Sequence, residues 1–226
     1  MKKSKIKKTS VGGSQQWNAV FQRDGAFFVE PQEDMPKIVK AFKRNKVEKV
    51  LDLGCGSGRH TVYLAKHGFS VYGLDIAPEG LKLTRQSLRK GNVTARLKLG
   101  SIYERLPYRN KFFDAILSTQ TLHHAGIEDI RRTIKEMERV LKPGGRIFVT
   151  VQRIVLKKHS DAIFIAPRTY IPTSGDEKDL PHYLFDKRSI RKEFSNFTIS
   201  KIWFNSDRRH CCFMGRLKAS APRGHR

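Results

Sequence analysis

Four residues with the clearest chemical spacing in this sequence are Asp52, Gly54, Gly56 and Gly58, in the run Val50-Leu51-Asp52-Leu53-Gly54-Cys55-Gly56-Ser57-Gly58-Arg59. Lys49 to Leu53 reads as a short apolar strand that enters a glycine-rich turn and then a helix. Such a turn brings backbone close to a ligand because no Cβ intervenes, and it aims unpaired N–H groups at that ligand. A dinucleotide pattern needs Gly-x-Gly-x-x-Gly. Counting from Gly54 puts Arg59 in the last position, and counting from Gly56 puts Thr61 there. With no Gly-Lys-Ser/Thr following, a P-loop is excluded as well. A carboxylate two residues before the first glycine suits a cationic ligand; a tight turn alone would also use these glycines.

A second acid, Asp75, closes the next apolar strand, Phe69 to Leu74, roughly 20 residues beyond the turn. A carboxylate there can accept both ribose hydroxyls of a nucleoside, or cap the helix that begins near Pro78. Two adjacent imidazoles, His123 and His124, end the segment Ser118-Thr119-Gln120-Thr121-Leu122-His123-His124. They are candidates to remove a proton near neutral pH, or to serve as packed, hydrogen-bonded core groups. His182, in Leu180-Pro181-His182-Tyr183, could reach the same pocket. Trp17, Phe21, Phe27 and Phe28 form an aromatic cluster ahead of the first strand, with Trp17 and Phe28 as substrate-side candidates; packing against a sheet edge is the plainer alternative.

The elements that must position these groups alternate. Asp34 to Arg44 has Met35, Ile38, Val39 and Phe42 on one helical face. Arg59 to His67 reads as a helix stopped by Gly68, and a further helix starts near Pro78 and ends at Gly91. Ala95 to Leu99, Phe113 to Ser118 and Arg146 to Val151 read as strands, and Ile127 to Leu141 as an amphipathic helix. This alternation predicts an α/β fold with a parallel sheet and helices on both faces. Ligands of such sheets bind beyond the carboxyl ends of the strands, where Gly54 to Gly58, Asp75, Gly100-Ser101 and Ser118 to His124 all fall. Residues 152–184 lack periodicity and read as a substrate-side loop. Phe185 to Phe194 reads as a short helix with Asp186 as its cap, and Phe197 to Phe204 and His210 to Lys218 as a hairpin closed by Asn205-Ser206-Asp207.

The 226 residues suit one domain at 14–218, between basic tails at 1–13 and 219–226, and the 38% apolar content supports a core. No apolar run approaches a membrane span or signal segment, so a soluble, cytoplasmic protein is expected. Cys55, Cys211 and Cys212 form neither a disulfide framework nor a metal-ligand spacing, and no metal is expected. A net charge of +24, from 45 basic and 21 acidic residues, favours a polyanion such as RNA or an acidic small substrate; a solubilising surface is the alternative.

Over about Val47 to Phe204 the chain resembles the class I S-adenosylmethionine-dependent methyltransferases, in particular the broad type-11 group. The glycine turn, Asp75, Leu106-Pro107-Tyr108 with Phe112-Phe113-Asp114, and Arg139-Val140-Leu141-Lys142-Pro143-Gly144-Gly145 carry the resemblance. It implies a Rossmann-like, seven-stranded, mostly parallel sheet of order 3-2-1-4-5-7-6 with a terminal antiparallel hairpin. It also implies S-adenosyl-L-methionine as cofactor, held by Asp52, Gly54, Cys55, Gly56, Gly58, Asp75, Ile76, Ser101, Ile102, Ser118 and Thr119. Many relatives carry Gly-Asp where this chain has Gly100-Ser101, which leaves a weaker hydroxyl for adenine. Asp114 is expected to be structural. The Asn-Pro-Pro-Tyr signature of amino-group nucleic-acid methyltransferases is replaced by Ser118-Thr119-Gln120-Thr121. The expected activity is methyl transfer to a small molecule; RNA, tRNA in particular, is the alternative acceptor, and a non-catalytic cofactor-binding protein the second alternative. Nothing in the sequence sets the oligomeric state.

Overall fold

The computed structural model of the chain describes residues 13–26, 29–154 and 161–219. Helix α1 (Ser14–Asp24) and helix α2 (Met35–Arg44) precede the first strand. Then follow β1 (Lys49–Leu53), α3 (Arg59–Lys66), β2 (Ser70–Asp75), α4 (Pro78–Lys90), β3 (Arg96–Leu99), β4 (Phe113–Thr119), α5 (Ile127–Val140) and β5 (Leu141–Gln152). Three short strands, β6 (Ala162–Ala166), β7 (Thr169–Pro172) and β8 (His182–Tyr183), lead to α6 (Lys187–Glu193) and the hairpin β9 (Phe197–Phe204) and β10 (His210–Leu217).

The main sheet has the order β3-β2-β1-β4-β5-β10-β9. Its first five members are parallel, and β10 runs antiparallel to β5 and β9. The parallel sheet is the one expected from the alternation of elements, and the strand order with its antiparallel end is the one the resemblance implies. Both sheet faces are covered, so each strand divides its side chains between two cores. Leu51, Leu53, Ile116, Ile147, Val149 and Val151 pack with Ile130, Ile134 and Met137 of α5 on one face. Val50, Ala115, Leu117 and Phe148 pack with Met35, Ile38, Val39 and Phe42 of α2 on the other. Arg139, in the last turn of α5, donates to the carbonyls of Leu106 and Tyr108 at 2.9 and 2.8 Å and so fixes the Leu-Pro-Tyr turn. Asp114 accepts the N–H groups of Glu48 and Lys49 at 3.1 and 2.8 Å and the Lys142 ammonium at 2.5 Å, the structural role expected of it.

Three stretches differ from the sequence reading, the first being β5, which begins at Leu141 rather than at Arg146. Ser14–Asp24, read only as an aromatic cluster, is a helix that buries Val20 and Phe21. Residues 152–184, read as one loop, hold a second sheet of order β6-β7-β8. Its strands are two to five residues long, too short for alternation to register, and Pro172 ends β7. Phe27, Phe28 and residues 155–160 lie outside the described residues, as do the expected tails apart from Gly13 and Ala219. Among the described residues no helix is long and apolar enough to cross a membrane.

Asp186 joins the small sheet to the main body. Its carboxylate accepts the Ser189 N–H at 2.7 Å and its own N–H donates to the Ser189 hydroxyl at 2.9 Å, a reciprocal cap on α6. The second carboxylate oxygen accepts from Arg168, in the β6–β7 turn, at 2.8 Å. Asp186→Ala should lower the free energy of unfolding by about 1–2 kcal/mol, mostly from the lost cap. Urea unfolding measures this, and an unchanged midpoint would contradict it.

Candidate active site

One cavity of about 890 Å³ opens at the carboxyl ends of β1, β2 and β4, walled on one side by α1. At one end the glycine turn supplies the wall. Gly54 and Gly56 both hold positive φ, 81° and 54°. A Cβ on Gly54 would collide with the Thr121 side chain, and one on Gly56 would come within 3.2 Å of the Phe21 ring. Glycine therefore keeps this cradle open. The Asp75 carboxylate sits beside it, accepting the Gly56 N–H at 2.7 Å and the Ala77 N–H at 2.9 Å. Burial pushes Asp75 above the usual carboxylate range, and those N–H groups pull against that push. The Ser14 hydroxyl donates to the Ile76 carbonyl at 3.2 Å, and the Glu79 N–H donates to Asn18 at 2.9 Å. These contacts seat α1 over the start of α4.

The other end of the cavity is polar. His123, His124 and His210 face Gln152, Arg153, Tyr170, Glu177, Arg208 and Arg209. Trp17 of α1 lies with its ring centroid 5.1 Å from that of His124. Burial, with the neighbouring imidazoles adding to it, lowers His123 well below the ordinary histidine range. Burial also lowers His124, against an opposing contact with Glu177. Both rings are therefore neutral near pH 7 and able to accept a proton. Glu177 is held far below the usual carboxylate range, because its contacts with His124 and His182 outweigh the cost of burial.

A methyltransferase-domain family model matches residues 51–149, which include the glycine turn, Asp75 and both histidines. Over that stretch the chain has the sequence of a methyltransferase domain. The demethylmenaquinone methyltransferase of Tropheryma whipplei (strain Twist) is 40% identical to it over 103 residues, 45% of this chain and 41% of that protein. The ribosomal RNA small subunit methyltransferase C of Alcanivorax borkumensis is 32% identical over 111 residues, 48% of this chain and 33% of that protein. The chain thus spans less than half the length of these curated relatives. Among solved structures, the PH0226 protein of Pyrococcus horikoshii OT3 superposes with a TM-score of 0.70 at 21% identity, covering 88% of this chain and 99% of that one.

Within the methyltransferase domain, Gly54, Cys55, Gly56, Asp75, Ile76, Ser101, Ile102 and Thr119 line the cavity, as do Trp17, His123 and His124. The cradle left by Gly54 and Gly56 and the fixed Asp75 carboxylate fit a nucleoside-bearing cofactor. Other residues expected at the site stand behind its wall. Asp52 is buried and accepts from the Thr61 hydroxyl at 2.6 Å. Gly58 packs where a Cβ would press on Thr84 at 2.7 Å. The Ser118 hydroxyl donates to the Leu53 carbonyl at 3.1 Å. The side chains of Asp52 and Ser118 point away from the cavity because each bonds within the sheet and helix layer below it. His182 is fully buried under the polar end, stacked 5.1 Å from Tyr170, and does not line the opening. Phe28 is outside the described residues. Tyr103, Tyr170, Glu177 and Arg208 were not foreseen as cavity residues; they come from segments without a motif.

Burial raises the Asp52 carboxyl to about 7, partly offset by the Thr61 hydrogen bond. Its unfolded value is about 4. The folded state therefore favours the protonated acid, so the stabilisation is complete below about pH 4 and is lost as pH rises through about 7. Relative to Asp52→Asn, the unmodified chain should lose up to a few kcal/mol of stability between those limits. Urea unfolding at a series of pH values reads the difference; a difference constant with pH would refute the assignment.

Proposed function

We propose that the protein transfers the methyl group of S-adenosylmethionine to a small-molecule acceptor held in the polar end of the cavity. The observation that carries this reading is the continuity of one enclosure from the glycine cradle and Asp75 to His123 and His124. Its volume is at the upper end of the range for small-ligand pockets, which leaves room for an acceptor beside a nucleoside cofactor. The cofactor supplies a methyl group activated on a sulfonium, so the protein's share is placement and exclusion of water.

In this reading Asp75 holds the ribose hydroxyls. The backbone of Gly54 to Gly56 lies along the methionine portion, and Ser101 with Ile102 borders the base. Trp17 and Phe21 cover both ligands from α1. A neutral His123 or His124 takes the acceptor's proton where the acceptor must lose one. Arg153, Arg208 and Arg209 at the mouth favour an acceptor bearing negative charge.

RNA remains the second reading, supported by the +24 charge. Incubation with methyl-labelled cofactor and fractionated cell extract, with metabolite and RNA pools counted separately, should label the metabolite pool. Label confined to RNA, together with RNA binding that weakens steeply with salt, would overturn the small-molecule reading. Asp75→Ala should weaken cofactor binding by about 1–3 kcal/mol through loss of charge-assisted hydrogen bonds. Titration calorimetry checks this, and an unchanged affinity would remove Asp75 from the ribose.

A further inference from the structure

The polar end of the cavity gathers more nitrogen ligands than proton transfer requires. His123 and His124 come from the turn after β4, His182 from β8, and Glu177 from the connection between β7 and β8. Ring centroids lie 4.2 Å apart for His123 and His124, and 4.8 Å apart for His124 and His182. One ring nitrogen from each of His123, His124 and His182 lies within 4.8 Å of the other two. Nδ1 of His123 is shielded from solvent without a hydrogen-bond partner, and the shielded Nε2 of His124 has only the Glu177 carboxylate near it. Leaving a buried ring nitrogen unpaired is costly, so the His123 nitrogen calls for a ligand.

His182 says what kind of ligand. Its Nδ1 lies 2.9 Å from the Leu180 carbonyl oxygen, an obligate acceptor, so Nδ1 carries a hydrogen. Its Nε2 then presents a lone pair to Glu177 Oε2, 2.9 Å away. His124 Nε2 lies 3.3 Å from the other oxygen of the same carboxylate, Glu177 Oε1. A lone-pair nitrogen facing a carboxylate needs a cation between them.

We propose that His124, His182 and Glu177, joined by His123, bind a divalent transition-metal ion of the zinc class. Imidazole nitrogens with one carboxylate suit Zn²⁺ and its first-row neighbours. The Nδ1–H of His182 on the Leu180 carbonyl is the outer hydrogen bond that usually fixes a ligating imidazole. Glu177, His123 and His124 line the cavity, so the ion has an entry path and an open side. On that side a hydroxyl, thiol or carboxylate of the acceptor would take a fifth position, and the ion rather than a ligated imidazole would ease loss of its proton. This last role rests on the methyl-transfer reading, whereas the metal site itself does not. The sequence showed no ligand spacing because the adjacent pair His123-His124 lies far along the chain from Glu177 and His182, and only the fold brings the two stretches together.

The test uses the full chain, freed of metal with a chelator and titrated with Co²⁺ while visible absorption is followed; Zn²⁺ calorimetry runs in parallel. One equivalent of Co²⁺ should bind with intense visible bands. Glu177→Gln should weaken that binding by at least about tenfold, and His124→Gln should do the same if Glu177→Gln fails to fold. S-adenosylhomocysteine affinity should be unchanged in Glu177→Gln, which separates loss of the metal from loss of the cofactor cleft. Absence of stoichiometric Co²⁺ binding, or equal binding by the unmodified chain and the Glu177→Gln variant, would overturn the proposal.

Discussion

The site depends on one carboxylate and two backbone N–H groups. Asp75, at the end of β2, accepts from Gly56 after β1 and from Ala77 before α4. It thereby locks two neighbouring strand ends to each other in the region where the sheet meets solvent. An open parallel sheet leaves its carboxyl-end loops with no ladder to hold them. Here a charge-capable acceptor replaces the ladder. The same interaction keeps the carboxylate at the cavity wall and the glycine backbone turned toward it.

The fold was largely legible because both sheet faces are covered. Continuous apolar runs such as Val50 to Leu53 and Ala115 to Leu117 are what strands buried on two sides require. Punctuation by Gly54, Gly68, Pro78 and Gly91 marked where they stop. The glycine half of the cavity was legible for the same local reason, since a turn motif and the strand-end acid are adjacent through the sheet. The spacing alone could not distinguish residues that face the cavity from residues one step behind it. Asp52 and Ser118 share a motif with cavity residues but point into the layer below, as the two-residue period of a strand dictates.

The polar half was less legible. Glu177 and Tyr170 lie on segments whose strands are too short to show alternation, and their meeting with His124 is long-range. Topology could have found part of it. With β10 antiparallel to the parallel β5, the turn that precedes β10 must return to the carboxyl end of the sheet, as the pairing of His210 with Gln152 shows. Arg208, Arg209 and His210 are therefore delivered to the cavity by strand direction rather than by any motif.

Helix α1 touches the cavity at both ends, through the Ser14 hydroxyl on the Ile76 carbonyl and through Trp17 against His124. Eleven residues of continuous helix make it a stiff beam rather than a pliable flap. A beam cannot lift from one end while staying seated at the other. If a cofactor and an acceptor share the cavity as proposed, one wall serves both, and the order of their arrival would be coupled through it.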